Sequence, residues 1–272
     1  MGITCLLFLP TAPSTAIDLL NERLTDVLDF YECDELWGVT CRSYRDQVDA
    51  RLRAAAADSE AAVTNYTPKV QYILSLAHVE HALYSMVATT GGRHQSVAGR
   101  GESGIVVELD KQFELILSKM KNLWTKRQEL GIEGIKYQRG DYVIRIGTMK
   151  ISARGSPGIW VQAENTQVDL SSQKAFQNLR LLLRKVLQDI AGIAEAEIVT
   201  GLHEQSSSTD AMQLDGPSST VPPAEPSISV TTVLDNQDDW HEYAAVHLPS
   251  SRFTRSHEAY QFFRLFRQQG LL

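Results

Sequence analysis

The chain has 272 residues, 43% of them hydrophobic, enough to supply one large core or two small ones. Its 26 basic and 33 acidic residues leave a formal charge of −7, which argues against a grip on nucleic acid through bulk positive charge. Cys5, Cys33 and Cys41 are odd in number and contain no C-x-x-C, so they fit neither a disulfide framework nor a zinc site and point to a reducing, intracellular compartment.

Read in chain order, the apolar run Cys5 to Leu9 has no basic residue before it and stops at Pro10. It reads as a buried strand, not as a signal segment or membrane span. Leu6 stands where a myristoylation pattern beginning at Gly2 wants Ser or Thr. Ser14 and Thr15 open a helix, with Thr15 and Asp18 spaced as a capping box and Ile17, Leu20, Leu24 and Val27 on one face. Leu36 to Tyr44 alternates as a strand, and Arg45 to Ala62 reads as a short helix or an insertion. Lys69 to Thr89 gives paired strands around a turn at His78-Val79-Glu80-His81. Gly91 to Gly104 is a polar loop, and Ile105 to Leu109 a strand.

A helix follows from Asp110, its face carrying Phe113, Ile116, Leu117, Met120 and Trp124. Asp141 to Ala163 (DYVIRIGTMKISARGSPGIWVQA) is two β-patterned runs around a Gly-rich, Pro-containing break. A further helix begins at Ser171 or Ser172 and lines up Phe176, Leu179, Leu183, Val186 and Ile190. Residues 201–227 turn to Ser, Thr, Pro and Asp, too poor in apolar groups to offset the entropy of ordering, and read as a flexible insertion. The chain closes with a helix from about Ser256 to Gln269, whose Tyr260, Phe262, Phe263, Leu265 and Phe266 make a face that must dock against the rest of the fold. Arg252, Arg255, Arg264 and Arg267 lie around it. Strands outnumber helices, which predicts an α+β fold: an antiparallel β-barrel, or a strongly curved sheet, with flanking α-helices. Residues 1–200 and 228–272 form its single domain.

The motifs that could carry chemistry are weak. Gly99 to Gly104 matches G-x-G-x-x-G, but a dinucleotide site needs a strand before it and a helix after, and here a strand comes after. His78, Glu80 and His81, and the cluster Asp238, Asp239, His241 and Glu242, lack the spacing of a helical metal site and read as solvated turns. Glu195-Ala196-Glu197 is similar to the alternating acids of barrel-type triphosphate hydrolases, but Val199 replaces the lysine that completes that pattern. No nucleophile elbow or Walker loop is present. Lys119, Lys121, Lys126, Arg127, Lys136 and Arg139 form a basic run that reads as a solvated helix face. The sequence therefore offers no catalytic, cofactor-binding or metal residue.

The opening MGITC, the segment Gly134 to Glu164 (GIKYQRGDYVIRIGTMKISARGSPGIWVQAE) and the ending YQFFRLFRQQG together resemble the family of subunit 20 of the Mediator complex of RNA polymerase II transcription. The middle stretch is the most specific, with Tyr137, Asp141, Val143, Gly147, Ser152, Ala153, Arg154, Gly155 and Gly158 in the family's order. The resemblance implies a non-catalytic β-barrel subunit of the Mediator head module, without cofactor. It implies pairing with subunit 18, through it contact with other head-module subunits, and an indirect link to the polymerase machinery. A nuclear location follows, with no membrane and no direct sequence-specific nucleic acid binding.

Within the hairpin, Tyr142, Ile144 and Ile146 share one face, and a phase shift after Gly147 brings Met149 and Ile151 onto it, as a glycine-marked bulge would allow. Ile159, Val161 and Ala163 return along the partner strand while Trp160 takes the other side. An outward Trp160 beside the Arg154 loop would be a contact for a partner. The competing class is a barrel whose lumen binds a triphosphate or other small anion, as enzyme or binding module. It would need an inward ring of Glu, Lys and Arg, whereas the strands supply mainly Val, Ile, Leu and Tyr, with Arg145 and Lys150 as exceptions.

Overall fold

Ile3–Leu9 forms strand β1, and every one of its residues is buried. Leu6 and Phe8 enter one apolar core, while Ile3, Cys5, Leu7 and Leu9 enter another on the opposite face. A strand covered on both faces loses the alternation of a half-exposed one and reads as a continuous apolar run. The computed structural model describes residues 2–9, 15–47, 69–89, 106–121, 123–151, 158–167, 173–188, 231–233 and 254–272.

The other strands are β2 (Tyr31–Asp46), β3 (Lys69–Leu76), β4 (Ala82–Thr89), β5 (Val106–Asp110), β6 (Trp124–Arg139), β7 (Tyr142–Ile151), β8 (Ile159–Asn165) and β9 (Thr231–Val233). They form one sheet in the order β5-β4-β3-β2-β6-β7-β8-β1-β9. All its pairings are antiparallel. The helices are α1 (Thr15–Glu22), continued by a π-helical turn at Arg23–Val27, α2 (Gln112–Lys119), α3 (Gln173–Leu187) and α4 (Arg255–Gln268).

The sheet curls around α4. Side chains from each of β1 to β8 share one core with Ala259, Phe262, Phe263, Leu265 and Phe266 of that helix. Laid flat, so many strands would span about 34 Å, against a helix diameter of about 10 Å, so only a half-barrel lets all of them reach one helix. The backbone of α4 runs nearest to β4 and β5 at one edge of the sheet and to β1 and β9 at the other. The expected barrel is thus an antiparallel half-barrel whose open side is filled by a helix.

On the outer face, Ala16, Leu20 and Leu24 from α1 and the turn after it, and Leu179, Leu183, Val186 and Leu187 of α3, cover β1, β7 and β8. Leu117 and Phe113 of α2 cover Tyr44, Ile73 and Leu83 at the other end of the sheet. Two helix faces differ from the sequence reading: Val27 is 58% exposed and Ile116 52% exposed. Trp124 opens β6 and does not belong to the helix.

Strand β6 is the element that the sequence reading overlooked. Lys126, Arg127, Lys136 and Arg139 lie on it, so the basic run is not one helix face. Lys126 pairs with Glu129 and Lys136 with Glu35, while Arg139 donates to the Leu28 carbonyl. Leu130 and Ile132 enter the inner core, whereas Tyr137 and Ile135 pack into the outer one, so the strand alternates regularly while its apolar pattern changes phase midway. The same change of side corrects the phase shift expected at Gly147. Pairing of β7 with β6 and with β8 runs without a break through Gly147. Ile144 and Ile146 simply face the outer core and Met149 the inner one. The irregularities lie instead in the β2–β6 pairing: Asp34 and Glu35 are extra on β2 between Cys33 and Leu36, and Arg127 is extra on β6 opposite the step from Ser43 to Tyr44.

Strands β1, β3, β4, β5 and β8 stand where the sequence placed them, and β2 runs longer at both ends. Most of Arg45 to Ala62, the Gly91 to Gly104 loop, Ser171, Ser172, Ile190 and residues 201–227 lie outside the described residues.

Candidate functional site: the filled groove

A row of residues crosses the inner face of the sheet: Trp37 on β2 lies opposite Gly134 on β6, Gly134 opposite Gly147 on β7, Gly147 opposite Trp160 on β8, and Trp160 opposite Phe8 on β1. The two glycines are required by close approach. A Cβ at Gly134 would lie 1.9 Å from the Ile146 carbonyl oxygen, and one at Gly147 would lie 2.6 Å from that of Glu133. Their missing side chains leave room between the two indoles, and Phe262 of α4 occupies it, its ring centroid 6.4 Å from each. Phe8 lies 4.5 Å from Trp160, and Phe266 meets Trp160 edge-on at 5.1 Å. Each such ring buries roughly 150–250 Å², which makes this row the main hydrophobic anchor of the helix.

Beyond the aromatic row the groove is ionic. Arg145 on β7 donates to Gln162 Oε1 at 3.0 Å and to Glu164 Oε2 at 2.7 Å. Gln162 donates in turn to Glu258 Oε1 on α4 at 2.8 Å. Arg255 donates to Glu258 at 2.6 Å, and His78, from the β3–β4 turn, lies 3.3 Å from the same carboxylate. Thr4 Oγ1 donates to Gln261 Oε1 at 2.7 Å, and Gln261 Nε2 donates to the Thr4 carbonyl at 2.9 Å. Arg145, Gln162, Glu164, Glu258, Gln261 and Thr4 are all buried. Charges this far from water are tolerated only when paired and hydrogen-bonded.

Burial alone would raise the Glu258 carboxyl. The hydrogen bond and charge of His78, with the charges of Arg255 and Arg145, instead hold it down at about 2. Next to it, burial pushes the His257 imidazole down to about 4. Its Nδ1 accepts the Thr254 backbone N–H at 2.8 Å and completes a capping box at the start of α4.

Trp160 lies on the opposite side of β8 from Val161, as expected, but that side is the inner face, and its side chain is 0% exposed. The outward Trp160 is therefore corrected: α4 covers the inner face, so neither side of β8 meets solvent there. Arg154 lies outside the described residues, as do Gly99 to Gly104, Glu195 to Glu197 and Asp238 to Glu242. His78 is not a solvated turn residue but a partner of Glu258, whereas Glu80 and His81 are exposed. Arg145 is engaged by the chain's own Gln162 and Glu164, and Lys150 pairs with Glu133 at the surface. Among the described residues, no group of three His, Cys, Asp or Glu side chains could hold a metal ion.

The sequence reading missed Gln162, Glu164, Glu258 and Gln261. One signal was available: in IWVQAEN, Trp160, Gln162 and Glu164 share a face, and Glu258 and Gln261 stand at i and i+3 beside the aromatic stripe of the last helix.

The family model described as the TATA-binding related factor of subunit 20 of the Mediator complex matches residues 1–267. The chain belongs to that family. A search of curated proteins found no match. Among solved structures, a chain of the Schizosaccharomyces pombe Mediator head module is 15% identical, with 68% of this chain and 93% of that one covered and a TM-score of 0.35. The PH1012 protein from Pyrococcus horikoshii OT3 is 6% identical, with 68% and 90% covered and the same score of 0.35. Likeness at this level carries no structural argument, and the fold of this subunit 20 family member stands on its own sheet. Membership makes it a Mediator subunit of the nuclear transcription machinery.

Proposed function

We propose that this chain is a non-catalytic scaffold subunit of the Mediator head module that pairs with subunit 18 and helps relay activator signals to RNA polymerase II. The observation that carries this reading is the filled groove. The place where a barrel protein would hold a ligand is taken by the chain's own helix, and the cations there, buried Arg145 and half-buried Arg255, answer the chain's own carboxylates. With that helix in the groove and membership of a Mediator subunit family, association through the surface is the reading best supported. Residues 1–200 with 228–272 act as the unit that associates.

Co-expression with subunit 18 of the same source, followed by size-exclusion chromatography with light scattering, tests the proposal. A stable one-to-one heterodimer is expected. A folded monomer that ignores subunit 18 overturns the pairing. The competing reading, a lumen that binds a triphosphate or other small anion, predicts phosphate release or saturable anion binding with divalent metal, and neither is expected.

A further inference from the structure

Strand β2 pairs with β6 from Tyr31 to Asp46, with Asp34 and Glu35 left out of the register, but with β3 only from Val39 to Arg45. On the β3 side, the one further backbone bond among the described residues is from the Ala77 N–H to the Gly38 carbonyl. Among the described residues, residues 31–37 therefore form an edge inside the sheet, paired on one side only. Open N–H and C=O groups on such an edge are a template for another extended chain.

The side chains along this edge are exposed and of two kinds. Leu36 is 82% exposed and Tyr31 57%, the apolar members, and Val27 at the end of the π-helical turn adds to them. Glu32, Asp34 and Glu35 are exposed acids, with Asp26 and Asp29 just before them. Of these five, Glu35 is the one that pairs with a base, Lys136, among the described residues. The bulge between Cys33 and Leu36 takes Asp34 and Glu35 out of register with β6, so the backbone turns where the acids are densest.

We infer that residues 31–37 of β2 are a docking edge for an extended, basic segment of another protein, with apolar side chains alternating with Lys or Arg. Main-chain pairing supplies the attachment, Leu36 and Tyr31 supply apolar contact, and the unanswered acids select a positive partner. A second copy of this edge is excluded as the occupant, because it would set Glu32 and Asp34 against their own kind. The inference rests on the reading that the chain works by protein association, but not on subunit 18 being the partner.

The full chain is titrated with the synthetic peptide Lys-Val repeated four times, with Lys-Ser repeated four times as control, and backbone amide exchange is followed by mass spectrometry. The Lys-Val peptide is expected to slow exchange in residues 31–37 by about tenfold at saturation. The double variant L36K and D34K, altered only at exposed side chains, should abolish that protection while leaving exchange elsewhere unchanged. Equal protection by the Lys-Ser peptide would reduce the edge to charge attraction and overturn the inference. So would slow exchange there in the free chain, which would mean that another part of the same chain covers the edge, or protection confined to other segments. Heterodimer formation with subunit 18, read by light scattering, fails or succeeds independently of this result.

Discussion

Gln162 on β8 donates a 2.8 Å hydrogen bond to Glu258 on α4, and both side chains are completely buried. The bond ties the last helix of the chain to an interior strand, third from one edge of the sheet. It sits in a chain of polar contacts that runs from Arg145 to His78. Such contacts act only in one register, so they fix where α4 lies while the aromatic row supplies most of the attraction.

Glu258→Ala should lower the free energy of unfolding by about 3 kcal/mol, because it leaves Gln162 and Arg255 without their buried acceptor. Glu258→Gln keeps the shape and should cost less. Urea unfolding followed by circular dichroism checks both, and equal midpoints for wild type and the alanine variant would remove the network from the stability of the fold.

Trp160→Ala should cost about 3–5 kcal/mol, since it empties a site packed by Phe8, Phe262 and Phe266. The effect belongs to folding and not to a partner surface. A variant that unfolds at the wild-type denaturant concentration yet loses binding to subunit 18 would contradict this assignment.

Gly134→Ala should be worse tolerated than Gly131→Ala. A Cβ at Gly134 meets backbone atoms at 1.9 and 2.5 Å, which cannot rotate away, whereas at Gly131 the nearest atom is 3.9 Å distant. The first substitution should cost more than about 2 kcal/mol and yield little soluble protein, the second under about 1 kcal/mol. Soluble yield and melting temperature measured side by side decide it.

Acid should loosen the seat of α4 in two stages. His257 is held at about 4, below its ordinary value of 6.5, so its contribution is complete above pH 6.5 and fades as pH falls toward 4. Glu258 is held at about 2, below its ordinary 4.5, so its contribution is complete above pH 4.5 and fades between there and pH 2. In both stages the unfolded chain binds the proton more tightly, so stability rises with pH. A series of denaturant midpoints from pH 7 to pH 2.5 should decline throughout, and His257→Gln should flatten the upper part alone.

Much of the fold was legible because local patterns and tertiary surroundings agreed. The β3–β4 pair and β8 carry β-type runs bounded by turn residues, and the closing helix carries too many aromatic side chains to stand free. Strand β6 was illegible because its apolar residues change sides midway, Leu130 and Ile132 inward, then Ile135 and Tyr137 outward, among charges that mimic an exposed helix. Along β7 the same two-sided burial, Ile144 and Ile146 outward and Met149 inward, gives the apolar pattern an apparent phase shift at Gly147.

Family, sheet class and the docking of the last helix follow from residue order and from apolar surface that water will not tolerate. Which face of β8 is interior, and so whether Trp160 meets a partner or a core, was decided only in three dimensions. Alternation assigns Trp160 to the side opposite Val161 but says nothing about what covers that side. Equally, Arg145, Gln162, Glu164 and Glu258 read singly as surface residues. They become an interior network because the sheet curls far enough to bring the first three to Glu258 on the helix that closes it, and burial then forces each to find its partner.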